Sequence, residues 1–216
     1  MYMSLRVLSH LHDLDNKTVL VRIDSDIDIH NGKIMDDTRL ESSLETIHYI
    51  LKNHGKIILL GHSGRPEGKI NELYTLKLVA SWFAQKFSGE IKEKDFNNFK
   101  GWEITPHLSL LENLRFYKDE EENNKEFAKN LALLGDVFVN EAFAVSHRKH
   151  ASIYSLAGLL PSYAGFHLEK EINTLSEIME NPKRPLGVLI GGAKIETKLP
   201  VVSHMHAIAE YVMVGG

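Results

Sequence analysis

One stretch constrains the fold of this chain more than any other: Lys56-Ile57-Ile58-Leu59-Leu60-Gly61-His62-Ser63-Gly64-Arg65-Pro66. Four consecutive apolar residues, Ile57 to Leu60, are the mark of a strand buried on both faces, the kind found in parallel sheets. Two glycines and a proline then force a tight exit. That exit carries an imidazole and a guanidinium with no carboxylate beside them. In open α/β sheets, ligands sit just beyond the carboxyl ends of the strands. A strand that ends in His62 and Arg65 therefore reads either as an anion site or as a surface loop with a solvated arginine. The other strand exits decide between the two.

Strand-like and helix-like patterns alternate along the chain. A β-branched run over residues 19–23 leads into Asp24-Ser25-Asp26, and Asn31-Gly32 is a turn signal. Thr38 and Glu41 fit a capping box. They open a helix with Leu40, Leu44, Ile47 and Leu51 on one face, and Gly55 stops it. Residues 75–87 read as a second helix, with Trp82 and Phe83 packed rather than offered to a base. Residues 95–101 read as an irregular connection, and 108–111 as a strand that exits through Glu112-Asn113-Leu114-Arg115-Phe116-Tyr117. Residues 118–125 read as a solvated helix start. A third helix on Phe127, Leu131 and Leu134 follows, then a strand over 137–139 whose polar exit runs to Arg148.

This alternation predicts right-handed βαβ units and a parallel sheet. The expected fold is a Rossmann-like, three-layer α/β domain over residues 1–165. A helix on Leu168, Ile172, Leu175 and Met179, broken by the two prolines of 181–185, makes 166–185 an interdomain helix and linker. Residues 186–216 read as strand, glycine turn, helix (194–210) and strand. Those elements cannot bury a core alone, so they are expected to begin a second domain of similar kind.

Composition narrows the function classes. The chain has 216 residues and a formal net charge of -4, so bulk charge favours neither nucleic acid nor an anionic membrane. It has no cysteine, which rules out disulfides and thiolate zinc sites. Its first residues lack a signal-peptide pattern and no run reaches the length of a membrane span, so a cytoplasmic location is expected. The 12 histidines are scattered, and no metal site is assigned.

Taken together, the strand exits supply Asp24 and Asp26, then His62 and Arg65, then Asn113 and Arg115, then His147 and Arg148. In a parallel sheet these exits share one edge. Arg39 lies in the first turn of the capped helix, where a cation opposes the macrodipole, which points to a ligand. Arginine forks suit phosphate and carboxylate because they bind two oxygens at once. Near the end of the chain, Gly191-Gly192-Ala193-Lys194-Ile195-Glu196-Thr197-Lys198 puts two lysines one helical turn apart after a glycine turn. That is a weak phosphate-cradle signal, without Walker A spacing.

Five runs, Asp36-Asp37-Thr38-Arg39, Gly61 to Pro66, Glu112 to Tyr117, His147-Arg148-Lys149-His150-Ala151-Ser152 and Gly191 to Lys198, stand in the order found in the phosphoglycerate kinases. The whole chain resembles that family. The resemblance implies a two-lobed glycolytic kinase, active as a monomer. One lobe binds 3-phosphoglycerate on a basic patch and the other binds ATP or ADP with magnesium. Carried over by motif, Asp24, Asp26, Arg39, His62, Ser63, Gly64, Arg65, Arg115 and Arg148 become the acid-substrate residues. Gly191, Gly192, Lys194 and Lys198 become nucleotide-phosphate residues, and Arg39 and Lys198 steady the transferring group.

The sequence departs from the family at several points. The usual Asp-Phe-Asn-Val-Pro is Asp24-Ser25-Asp26-Ile27-Asp28, so a carboxylate replaces an amide donor. Asn-Asp-Ala-Phe-Gly is Asn140-Glu141-Ala142-Phe143-Ala144, and the loop's usual leucine is Ser63. The chain is also expected to be a fragment that stops early in the nucleotide lobe. Two rival readings remain at this stage. One is a haloacid-dehalogenase-type phosphatase, in which Asp24 is the nucleophile and Asp26 its partner. The other is an anion-binding module without catalysis.

Overall fold

A computed structural model of the chain describes residues 5–191 and 199–215. The chain forms two compact units, Met1–Glu169 and Lys170–Gly216.

The first unit is built on β1 (Thr18–Arg22), a small hairpin of β2 (Ile29–His30) and β3 (Lys33–Ile34), α1 (Thr38–Glu41), α2 (Leu44–Lys52), β4 (Lys56–Leu60) and α3 (Lys77–Lys86). It continues with β5 (Lys92–Phe96), β6 (Phe99–Thr105), β7 (Leu108–Leu111), α4 (Lys118–Glu121), α5 (Lys125–Ala132), β8 (Val137–Asn140) and β9 (Ser162–Ala164), and α6 (Phe166–Glu180) begins at its end. Seven strands form one sheet in the order β5-β6-β7-β4-β1-β8-β9. From β7 to β9 every neighbouring pair is parallel.

Side-chain alternation explains why these strands read as unbroken apolar runs. Val19, Val21, Ile57, Leu59, Val137 and Val139 enter the core shared with Ile47, Ile50, Val79 and Phe83. Leu20, Ile58, Leu60 and Phe138 point the other way, to Phe127, Ala128 and Leu131 of α5. The sheet is thus covered on both faces, in three layers as expected. Arg22 is two residues beyond Leu20 and is carried to the same face.

The structure corrects the sequence reading at several elements. Residues 95–101 are not irregular: β5 and β6 pair antiparallel around Asn97, which has φ of 54°, and β6 pairs antiparallel with β7. The sheet is therefore mixed at this edge. The signal was hidden because Lys92, Glu93, Lys94 and Asp95 are all exposed, which leaves no apolar period to read. The capping box at Thr38 does not form. Thr38 is already helical, and its N–H donates to the Asp36 carboxylate at 2.9 Å. The helix then breaks after four residues, where Ser42 and Ser43 donate their hydroxyls back to the Arg39 and Leu40 carbonyls. The segment 118–125 is not wholly solvated either, since Glu120 is completely buried.

In the second unit, β10 (Gly187–Ile190) and β11 (Tyr211–Val214) pair in parallel, with α7 (Leu199–His206) between them in sequence. The expected helix over 194–210 ends earlier. Beyond His206, the Glu210 carboxylate accepts from Arg184 Nη1 and from the Leu186 N–H, both at 2.7 Å, which ties the residue before β11 to the segment that leads into β10.

The start of α6 is built from the exit of β8. The buried Glu141 carboxylate accepts from the N–H groups of His167 and Leu168, each at 3.2 Å, and from the Thr46 hydroxyl. Thr46 Oγ1 in turn accepts from the Phe166 N–H at 3.0 Å. The first three donors of the helix are thereby satisfied. A Cβ at position 165 would collide with this carboxylate, which is why the residue before the helix is Gly165. Glu141→Ala is expected to lower the stability of the chain in urea by about 1–3 kcal/mol, because buried N–H groups lose their acceptor. Glu141→Gln keeps one acceptor oxygen and should lose less.

Candidate functional site

The carboxyl ends of β1, β4, β7 and β8 lie on one edge because these strands are parallel. The first exit is short. The Asp24 carboxylate accepts from Arg39 Nη1 at 3.2 Å, and the same nitrogen donates to the Asp26 carbonyl at 3.0 Å. This accounts for Arg39. The four-residue α1 has little macrodipole to oppose, and the guanidinium is drawn to the β1 exit while remaining half exposed.

The second exit is pinned to the first. Ser25 Oγ accepts from the His62 N–H at 2.9 Å and donates to the His62 carbonyl at 2.8 Å. A Cβ on Gly61 would strike this hydroxyl. Gly64 adopts φ of +60°, and its N–H donates to Asp26 Oδ1 at 2.8 Å. Asp26 therefore does more than repel an anion: it anchors the turn that follows His62. Tyr74 packs where a Cβ on Gly64 would fall.

The third exit brings its guanidinium under the same loop. Asn113 is buried and donates to the carbonyls of Ser63 (2.7 Å) and Tyr74 (2.8 Å), while its own oxygen accepts from the Arg115 N–H. Arg115 Nη1 donates to the Gly64 carbonyl at 2.8 Å, and its Nε stands 3.5 Å from Glu121 Oε1, an ion pair without hydrogen-bond geometry. Arg148 at the fourth exit is half-buried, and His150 is buried beside it.

Four buried atoms of this cluster have no hydrogen-bond partner among the described residues: Arg115 Nε and Nη2, Arg148 Nε and His150 Nδ1. Three of the four are cationic donors. Buried donors left without partners are costly, and a set of cationic ones suits an anion. Arg115, Arg148, His150, His62 and Arg22 also lie close enough to perturb one another. Burial first, and these neighbouring cations second, hold His62 far below its ordinary pKa and His150 down to about 4. Burial likewise lowers Arg115.

The site residues read from sequence thus fall into groups. Asp24, Asp26, Arg39, His62, Ser63, Gly64 and Arg115 are joined directly or through one shared partner, and Arg148 approaches them electrostatically. Arg65 is exposed and makes no side-chain hydrogen bond or ion pair with a described residue. Gly191 is described, whereas Gly192, Lys194 and Lys198 lie outside the described residues. A separate groove of about 580 Å³, lined by Lys94, Lys100, Trp102, Phe116 and Tyr117, holds none of the arginines. Two residues of the cluster were missed. Arg22 is completely buried at the end of β1, and the signal was a lone charge closing an apolar strand. His150 stood inside a recognised motif without a role.

The phosphoglycerate kinase family model matches residues 8–216. The chain belongs to the phosphoglycerate kinase family. The phosphoglycerate kinase of Coprothermobacter proteolyticus is 40% identical over 215 residues, spanning 94% of this chain and 54% of the relative. That of Borrelia garinii subsp. bavariensis is 39% identical over 222 residues, spanning 99% of this chain and 56% of the relative. The solved phosphoglycerate kinase of Coxiella burnetii superposes with a TM-score of 0.83 at 34% identity, covering 99% of this chain and 55% of that structure. The chain spans about half the length of the curated relatives it matches. Family membership displaces the haloacid-dehalogenase reading, and the geometry agrees: the Asp24 carboxylate is engaged by Arg39 and by the Asp26 N–H rather than free to attack.

The histidines set a pH dependence. An unfolded histidine titrates near 6.5, but His150 in the folded chain takes up its proton only near pH 4. Between these values the unfolded chain binds more protons, so stability falls as pH drops through this window. Glu120 and Glu141, raised by burial, act in the opposite sense. Urea midpoints measured from pH 7 to 4 should therefore fall less steeply in His150→Gln than in the wild type. An unchanged slope would show that His150 is not held neutral.

Proposed function

We propose that this chain supplies the acid-substrate side of a phosphoglycerate kinase, an enzyme that transfers a phosphoryl group reversibly between ATP and 3-phosphoglycerate. The observation that carries the reading is the set of buried, unpartnered N–H groups on Arg115 and Arg148 at one sheet edge. Such forks suit a phosphate or carboxylate. Arg65, exposed beside Gly64, is free to close on the same ligand. Arg39 sits at the rim, where its guanidinium can leave Asp24 for charge developing on a transferring group. Phosphoryl transfer asks for this kind of positioning and neutralisation rather than for covalent help.

The nucleotide side is assigned by motif alone. Gly191, Gly192, Lys194 and Lys198 match the family's nucleotide-phosphate run, and the nucleotide enters as its magnesium complex, a substrate. The family resemblance implies a monomer. Among the described residues no helix is long and apolar enough to cross a membrane. A glycolytic role is consistent with a cytoplasmic location.

Calorimetric titration with 3-phosphoglycerate tests the acid side. Arg148→Ala and Arg65→Ala should each weaken binding by about 1.5–3 kcal/mol, roughly 10- to 150-fold. Asp26→Asn should tighten it, since an amide keeps an oxygen for the Gly64 N–H and exchanges a like charge for a donor. Unchanged affinity in both arginine variants would sink the assignment. In the whole protein, Lys198→Ala should cost about 10²–10³ in turnover, the scale of one lost charge-stabilising donor. A coupled assay of 1,3-bisphosphoglycerate formation measures this. Tight 3-phosphoglycerate binding with no turnover in the unmodified whole protein would instead favour the anion-binding module.

A further inference from the structure

The Arg22 guanidinium is completely buried, and all three of its nitrogens are engaged. Nε donates to Ser152 Oγ at 3.0 Å, Nη1 donates to the Ile23 carbonyl, and Nη2 lies 3.0 Å from His62 Nδ1. Ser152 Oγ in turn donates to Glu120 Oε1 at 2.6 Å, and the Ser152 N–H donates to Glu120 Oε2 at 2.9 Å. Glu120 is also completely buried, so it is the counter-charge of Arg22, relayed through one hydroxyl. Nothing in this line faces the rim of the sheet except its last member, His62.

A guanidinium has five donors and no acceptor. The ring nitrogen facing Arg22 must therefore present a lone pair. An imidazolium carries a proton on both nitrogens and would set donor against donor at this contact. The Nδ1–H tautomer would do the same. One state is left, a neutral imidazole with its only proton on Nε2. The ring is also fixed in place, because Ser25 Oγ holds the His62 peptide at both its N–H and its carbonyl. His62 Nε2 points to the side of Asp26, whose Oδ2 lies 3.8 Å away, beyond hydrogen-bond reach.

We infer that Arg22, backed by Ser152 and Glu120, is a positioning residue that locks His62 as an uncharged Nε2–H donor at the mouth of the anion site. Arg22 acts through His62 and touches no ligand. The consequence for recognition is specific. His62 offers an anionic oxygen a hydrogen bond without exchanging a proton with it, so its contribution is constant across neutral pH, and the arginines supply the charge.

The inference rests on the proposed acid-substrate site only for the ligand that His62 meets; the tautomer is a property of the free chain and is tested there. Long-range ¹H–¹⁵N correlation spectra of the ¹⁵N-labelled chain, without ligand, report the state of each imidazole nitrogen. The expected result from pH 6 to 8 is a single His62 form, protonated at Nε2 and bare at Nδ1. In Arg22→Met the same ring should populate both tautomers. If that variant fails to fold, Ser152→Ala carries the test, since Arg22 then loses its tether and the Nδ1–H form should gain population. A charged or Nδ1–H His62 in the wild type overturns the inference, as does an unchanged tautomer in the folded variant. Titration of 3-phosphoglycerate into the same samples is a separate measurement: a locked His62 with no binding would remove the proposed function and leave the lock standing.

Discussion

Parallel pairing of β1 with β4 on one side and β8 on the other is the constraint that the rest of the structure inherits. It aims the strands the same way and so delivers their exits to one edge. It also fixes parity. With Leu20 against α5, Arg22 must follow to that face, where Ser152 and Glu120 wait. A slip of one residue would turn every side chain of β1 over and put the guanidinium among Ile47, Ile50 and Phe83. The site is thus a product of register as much as of residue type.

The buried charges make sense in that frame. Arg22 and Glu120 neutralise each other through Ser152, and Glu141 is matched by helix N–H groups. Arg115 is the exception. Glu121 is its ion-pair partner at 3.5 Å, Asp26 and Glu120 act on it from farther away, and part of its fork has no hydrogen-bond partner among the described residues. Internal charges that hold the scaffold are satisfied within it, whereas Arg115 and Arg148 keep buried donors without a partner among the described residues.

The buried strands were legible because both faces of the sheet are covered, so their sequence is apolar throughout. Residues 108–111 form β7 with the bounds expected, and 137–139 fall within β8. The β5–β6 hairpin was illegible because the first four residues of β5 are solvated, and hydrophobic period carries no information along that strand. The capping signal at Thr38 misled for a different reason: Asp36 lies closer to the donor in question, and Ser42 and Ser43 end the helix early. In the site, the loop residues were readable from glycine and arginine spacing. Arg22 was not, because its role depends on which face of β1 it occupies. Asp26 was read as a misplaced charge, and only its bond to Gly64 shows what it holds.

The solvated strand β5 has one more effect. It is an outer edge of the sheet, and Lys92-Glu93-Lys94-Asp95 lines it with alternating charge that a further strand would have to desolvate. At the opposite edge β9 is three residues long and already bridged by Val7. Both rims of the large sheet are therefore blunt to other copies.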